Sequence, residues 1–211
     1  MLSDASTVPP RPATDSLHRT ILMVDIEGYS RPARTNPIRG RLRDALYLLL
    51  DQAIGSTGIA ADLHEPPQDQ GDGALLLFLP QVPKNRLLHP LVTNLAEALV
   101  GYNAAVGEQE RMRLRVVVHA GELLNDRHGY FGEHLDEAFG LVNSDMLRAH
   151  LALTTSLLVL LVSDQIYEGI VKHGLSGIDP ATYRRVDVGV KGRQLRSWLH
   201  IPDAAPTAAV A

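Results

Sequence analysis

Apolar residues along this chain change period repeatedly, and the changes mark alternating strands and helices. Thr20 to Ile26 is nearly continuous in apolar residues, which reads as a strand. Asn36-Pro37 puts proline in the first turn of a helix that runs to a Gly55 stop and turns Leu42, Leu46, Leu49, Leu50 and Ala53 inward. Strands are expected around Ile59 to Leu63 and from Ala74 to Leu79. The second is apolar on both faces and therefore central, and Pro66-Pro67 between them argues against a regular ladder. From Lys84 to about Val106, Leu88, Leu91, Leu95, Leu99 and Tyr102 fall on one helical face, with Pro90 bending or delaying the start.

Leu114 to His119 reads as a strand ending at Gly121. Glu133 to about His150 reads as one helix with Leu135, Phe139, Val142 and Met146 facing the core. A strand near Leu157 to Val162, a short helix from Asp164, and a strand pair at Arg184 to Val190 and Leu195 to Ile201 close the chain. The order β-α-β-β-α-β with additions predicts an α+β fold, a ferredoxin-like antiparallel sheet with helices.

Composition narrows the function more than the fold. A chain of 211 residues fits one domain, expected over 18–202, with disordered tails at 1–17 and 203–211. A net charge of −4 gives no positive field for nucleic acid, and the absence of cysteine removes disulfides and thiolate metal sites. No apolar run approaches a membrane span and no signal-peptide core precedes the first strand, so a cytoplasmic protein without a membrane partner is expected.

Two carboxylates stand out against this background. Asp25, in Val24-Asp25-Ile26-Glu27-Gly28-Tyr29-Ser30, and Asp72, in Gly71-Asp72-Gly73, each sit at the edge of an apolar strand. Buried side by side they would repel, and a divalent cation such as Mg²⁺ or Mn²⁺ would relieve the conflict while sharing positions with phosphate oxygens.

The first of these segments resembles the opening strand and turn of class III nucleotidyl cyclase catalytic domains, which read roughly D-I-x-G-F/Y-S/T. Gly71-Asp72-Gly73 before the strand ending at Phe78 resembles their second metal-binding hairpin. His119-Ala120-Gly121-Glu122 resembles their H-x-G-E strand end, and Val190-Lys191-Gly192-Arg193 a phosphate-contacting V-K-G-K/R segment. The chain is also similar to short, divergent actinobacterial members of that family. The resemblance implies that Asp25, Asp72 and the Ile26 carbonyl hold two metal ions. It implies that Gly28, Tyr29 and Ser30 amides cradle the triphosphate and that Lys191 balances its charge. The expected reaction is attack of a nucleoside triphosphate's 3′ hydroxyl on its α-phosphorus. The expected assembly is a head-to-tail homodimer with sites at the interface.

The pattern breaks at four positions. Where purine-specific members read the base, this chain has Gln68 and Gly129, so neither adenine nor guanine is specified. Where the family carries a ribose-positioning Asn and a transition-state Arg, this chain has Asp136 and Gly140. Asp136 can still accept a ribose hydrogen bond, but Gly140 supplies nothing. Losing such an arginine costs on the order of 10³ to 10⁵ in rate. Arg127, Arg148 or an arginine of the second subunit would have to replace it.

Plainer readings stand beside these. Gly71-Asp72-Gly73 and Lys191-Gly192-Arg193 are also ordinary turn sequences, Asp25 also reads as a cap on local amides, and His119 is expected to be a satisfied strand-end histidine without zinc-type spacing. The arginines Arg31, Arg34, Arg39, Arg41 and Arg43 suggest a solvated helix face, or a phosphate or acidic-partner contact. Gly140 suggests close packing at a dimer seam. Two classes of function therefore remain: a cyclase-like enzyme, or a degenerate relative that binds nucleotide, metal or a partner.

Overall fold

A computed structural model describes residues 15–202; both expected tails lie outside the described residues except for Asp15 to Leu17. Strand β1 (Leu17–Ile26) begins one residue inside the expected N-terminal tail. Helix α1 (Asn36–Gly55) has Pro37 in its first turn and buries Leu42, Leu46, Leu49, Leu50, Ala53 and Ile54.

The strand expected over Ile59 to Leu63 is absent. Ala61–Leu63 is a single 3₁₀ turn, and the partner of β3 (Gly73–Phe78) is instead the two-residue β2 (Gln68–Asp69). His64 still bridges to Phe78 and the Glu65 N–H donates to Leu77, but Pro66 and Pro67 then supply no donors and the ladder lapses. After an irregular turn at Leu87–Leu91, Pro90 delays the next helix, α2, to Val92–Ala105.

Strand β4 (Leu114–Asp126) runs straight through Gly121, where an end was expected, because its pairing with β1 continues to Leu123 opposite Leu17; it then turns into β5 (Gly129–Phe131). The long helix expected from Glu133 is two helices, α3 (Glu133–Val142) and α4 (Asp145–Leu153). Ser144 breaks it by accepting the Leu147 N–H at 3.3 Å as the cap of α4. The break rotates the inward face to Leu135, Ala138, Leu141, Val142, Leu147 and Leu151, leaving Phe139 and Met146 only partly buried. Strand β6 (Leu158–Ser163), helix α5 (Asp164–Gly169) and the hairpin of β7 (Tyr183–Val190) and β8 (Arg193–His200) complete the fold.

The result is the expected α+β class. The sheet runs β2-β3-β1-β4-β6-β8-β7, with β5 on the end of β4, and its neighbours are antiparallel except β4 and β6. Residues alternate between two cores. One contains Leu22, Val24, Leu76, Val116 and Val118 with the apolar faces of α1 and α2; the other contains Ile21, Met23, Leu75, Val117 and Leu161 with α3 and α4. Burial on both faces accounts for the continuous apolar runs of β1, β3 and β6. Asp25, Arg115, and His119 share strand parity with Met23 and Val117, so they face the α3–α4 side.

Candidate functional site

The residues singled out from the sequence fall into two groups. At the first, Asp25, next to last in β1, lies opposite Gly73, and the Ile26 N–H donates 2.9 Å to the Asp72 carbonyl, which holds the two aspartate-bearing segments side by side. Gly71 has φ +83°, suited to the turn, and a Cβ on Gly73 would overlap the Val24 carbonyl, so both glycines of Gly71-Asp72-Gly73 have a steric reason. Arg43 anchors this hairpin through Asp69 at 2.9 Å and the Gly71 carbonyl at 3.3 Å.

Asp25 is 6 % exposed and pairs with Arg115 directly across on β4. Burial pushes its carboxyl up to about 6 against the pull of Arg115; the charge of Asp72 raises it further and Arg148 opposes. A carboxylate buried this deeply is disfavoured as an anion even beside a guanidinium, and a cation bound to it favours the ionised form. The oxygen donors of Asp25 and Asp72 therefore suit a hard divalent cation, for which Asp25 must first be deprotonated. Arg115 was not among the residues identified from sequence. Its signal was the even, four-residue spacing to His119, which puts both on one face, in a strand otherwise apolar from Leu114 to Val118.

The expected phosphate cradle is a turn with Gly28 at φ +62°. The Tyr29 N–H donates to the Ile26 carbonyl at a long 3.4 Å, so an amide and a carbonyl expected at the ligand meet each other here. Arg31 folds over Gly28, and Arg39 lies over the Tyr29 ring while reaching the Ser30 carbonyl. Gln68 is half-buried on β2. Of the five arginines after β1, Arg31 and Arg41 are exposed and Arg39 and Arg43 partly so, as a solvated face would have it, and Arg34 is the exception. Arg34 is buried and donates to the carbonyls of Glu27, Gln109 and Arg111, so it ties the turn after β1 to the segment before β4.

The second group lies at the other end of the sheet. Lys191, at the tip of the β7–β8 hairpin, pairs with Asp136 of α3 at 2.8 Å, both largely exposed, while Arg193 meets Glu133 and Glu137. A Cβ on Gly140 would overlap the Val190 side chain. Gly140 therefore lets α3 close on the hairpin of its own chain, which replaces the expected reason, a dimer seam. Gly129 lies in the β4–β5 turn with φ +119°. Arg127 contacts His128, and Arg148 pairs with Asp145 at the first group.

Pairing places Arg115 level with Val159, Val162 with Trp198, and Trp198 with Arg185, five residues before Val190. The strand positions separate the two groups by about eight residues, or about 26 Å at roughly 3.3 Å each.

His119 is not the satisfied histidine expected. It is 4 % exposed, its Nδ1 has no partner among the described residues, and burial, with His134 adding to it, pushes the imidazole down to about 4. Its Nε2 meets His134 and Glu137 of α3.

No family model matches the sequence, and no curated protein matches it. Solved structures do. An adenylate/guanylate cyclase/hydrolase from Silicibacter pomeroyi superposes with a TM-score of 0.60 at 22% identity over 90% of this chain and 99% of that one. The adenylyl cyclase CyaB from P. aeruginosa gives 0.59 at 13% identity over 90% and 96%. The guanylate cyclase domain of RhGC from Catenaria anguillulae, solved in complex with GTP, gives 0.53 at 16% over 89% and 98%. Helices on a largely antiparallel sheet, in the order found here, are thus the fold of adenylate and guanylate cyclase catalytic domains, the family that the sequence motifs resemble.

Proposed function

We propose that this chain binds a metal–nucleoside triphosphate complex at the seam of a head-to-tail homodimer and converts it to a 3′,5′-cyclic monophosphate and pyrophosphate. The observation that carries this reading is the division of the candidate residues between opposite ends of one sheet. Within a chain, Asp25 and Asp72 are too far from Lys191 to share one triphosphate, whereas antiparallel pairing of two copies would supply both ends to each site.

Asp25, Asp72 and the Ile26 carbonyl would hold two Mg²⁺ or Mn²⁺ ions. When bound, these ions lower the pKa of the attacking hydroxyl and neutralise charge on the leaving phosphates. Asp25 loses its proton and its exclusive hold on Arg115, which leaves that guanidinium to meet phosphate oxygens. Gly28, Tyr29 and Ser30 would cradle the β and γ phosphates, with Lys191 of the second copy balancing their charge. Asp136 accepts from a ribose hydroxyl and Gln68 meets a base, purine or pyrimidine. The 3′ hydroxyl gives its proton to solvent and its oxygen bonds to the α-phosphorus as the bond to the bridging oxygen breaks, and that electron pair leaves with pyrophosphate. Among the described residues no helix is long and apolar enough to cross a membrane.

A second reading is favoured by Gly140. Val190 fills the space beside it and Asp136 already occupies Lys191, an arrangement suited to a nucleotide-binding regulatory module without turnover. Purified protein incubated with Mn²⁺ and each of the four ribonucleoside triphosphates separates the two. Cyclic product by mass spectrometry, lost in Asp25→Ala and Asp72→Ala, supports the enzyme. Mn²⁺-dependent nucleotide binding without product supports the module.

A further inference from the structure

Toward the hairpin end of the sheet, four residues beyond Arg115 on β4, three ligand-type atoms lie close together. His119 Nε2 lies 3.3 Å from His134 Nδ1 and 3.4 Å from a Glu137 carboxylate oxygen, and His134 Nδ1 lies 3.4 Å from that same oxygen. These separations are long for hydrogen bonds. They equal the edge of a tetrahedron whose centre lies about 2.05 Å from each corner, since such corners are about 3.3 Å apart, and Zn–N and Zn–O bonds are about 2.0–2.2 Å. Among the described residues, these three form a group of His and carboxylate ligand atoms close enough together to share one ion.

The backbone makes room for it. A Cβ on Gly121 would overlap the ring of His134, so the glycine two residues after His119 admits that ring to the sheet surface. His134 and Glu137 are three residues apart on α3 and present their donors on one face. Beside the cluster is a cavity of about 450 Å³, lined by His119, Glu137 and Ser163. His119 Nδ1 and Ser163 Oγ, in two side chains at least nine-tenths buried, have no protein partner among the described residues. A cavity of that size holds water for both.

We propose that His119, His134 and Glu137 form a site for a zinc-class divalent ion, with the fourth position open to water from the adjoining cavity. Two imidazole nitrogens and one carboxylate select borderline ions over Mg²⁺, which the all-oxygen Asp25–Asp72 pair suits instead. Glu137 also accepts from Arg193 at 3.2 Å through its other oxygen, which orients the carboxylate. The ion would join α3 to β4, so it stabilises the folded chain in proportion to its occupancy.

Metal-stripped full-length protein titrated with Zn²⁺, followed by calorimetry and thermal unfolding, tests the site independently of nucleotide. The expected result is one high-affinity ion per chain and a rise in Tm. His134→Ala and Glu137→Gln should each weaken the affinity more than about a hundredfold, beyond the loss of an outer-shell partner. The double variant Asp25→Asn, Asp72→Asn should keep the Zn²⁺ affinity. Substitution of Co²⁺ in the native chain gives a readout that needs no variant: strong visible absorption of a four-coordinate ion is expected. No zinc uptake, uptake indifferent to His134→Ala and Glu137→Gln, or the weak spectrum of six-coordinate cobalt overturns the proposal.

Discussion

The two ends of the central sheet bury ionisable groups in opposite ways. At one end Asp25 is neutralised by an arginine directly across the ladder, and a second arginine, Arg148, adds to the field. At the other, on the same strand and face as Arg115, His119 is buried as a neutral ring against another histidine and a carboxylate, while the lysine and arginine of the hairpin make exposed pairs. The first environment suits a hard cation and phosphates; the second suits a softer ion. Strand parity explains how they coexist. Residues 115, 117 and 119 share one face, so a single strand carries both sites with Val117 as the apolar spacer between them.

Breaking the first end alone should have the largest effect on stability. Arg115→Met leaves Asp25 buried without its partner and should destabilise the fold by about 3–5 kcal/mol in urea unfolding. Adding Asp25→Asn should recover most of that loss; equal loss in the single and double variants would mean that Arg115 acts by packing alone.

Acid titration sharpens the contrast because the two ends have opposite signs. Asp25 has a folded pKa of about 6 against 3.8, so the native state binds the proton more tightly and stability falls as pH rises from about 4 to 6. His119 has a folded pKa of about 4 against 6.5, so the unfolded state binds more tightly and stability rises over nearly the same range. In metal-stripped protein the two slopes, each at most about 1.4 kcal/mol per pH unit, largely cancel. Asp25→Asn should unmask the rising slope and His119→Gln the falling one, read as Tm against pH. Unchanged slopes in both would contradict the assignment.

A smaller effect tests how the ends are joined. In a helix, Gly to Ala ordinarily gains about 1 kcal/mol. At Gly140 it should instead cost about 1–3 kcal/mol, because the new methyl meets Val190, and Val190→Ala should restore the gain.

Much of this was legible from sequence where period and chemistry coincide. The helix from Asn36 to Gly55, the apolar strands and the Asp25–Asp72 pair follow from local pattern and from motifs that impose one geometry. The two-residue strand at Gln68 and the break at Ser144 were not legible, since a prolyl pair and one capping hydroxyl outweighed propensity there. Arg115 and the His119 cluster were missed for another reason. Their partners are 90 and 15 residues away, and only the strand register and the α3 crossing bring them together. The spacing of His134 and Glu137 on one helical face and the glycine at 121 were the available signals for the cluster. Gly140 showed that something packed closely without showing what.

The most direct test of the account is complementation between the two ends. Asp72→Ala and Lys191→Glu variants, each inactive in Mn²⁺-dependent nucleotide binding and turnover, are unfolded together, refolded as a mixture and assayed. A head-to-tail dimer gives one intact site in each mixed dimer, so the mixture should recover about a quarter of the native signal. A mixture no more competent than either variant alone would contradict a site shared between two chains.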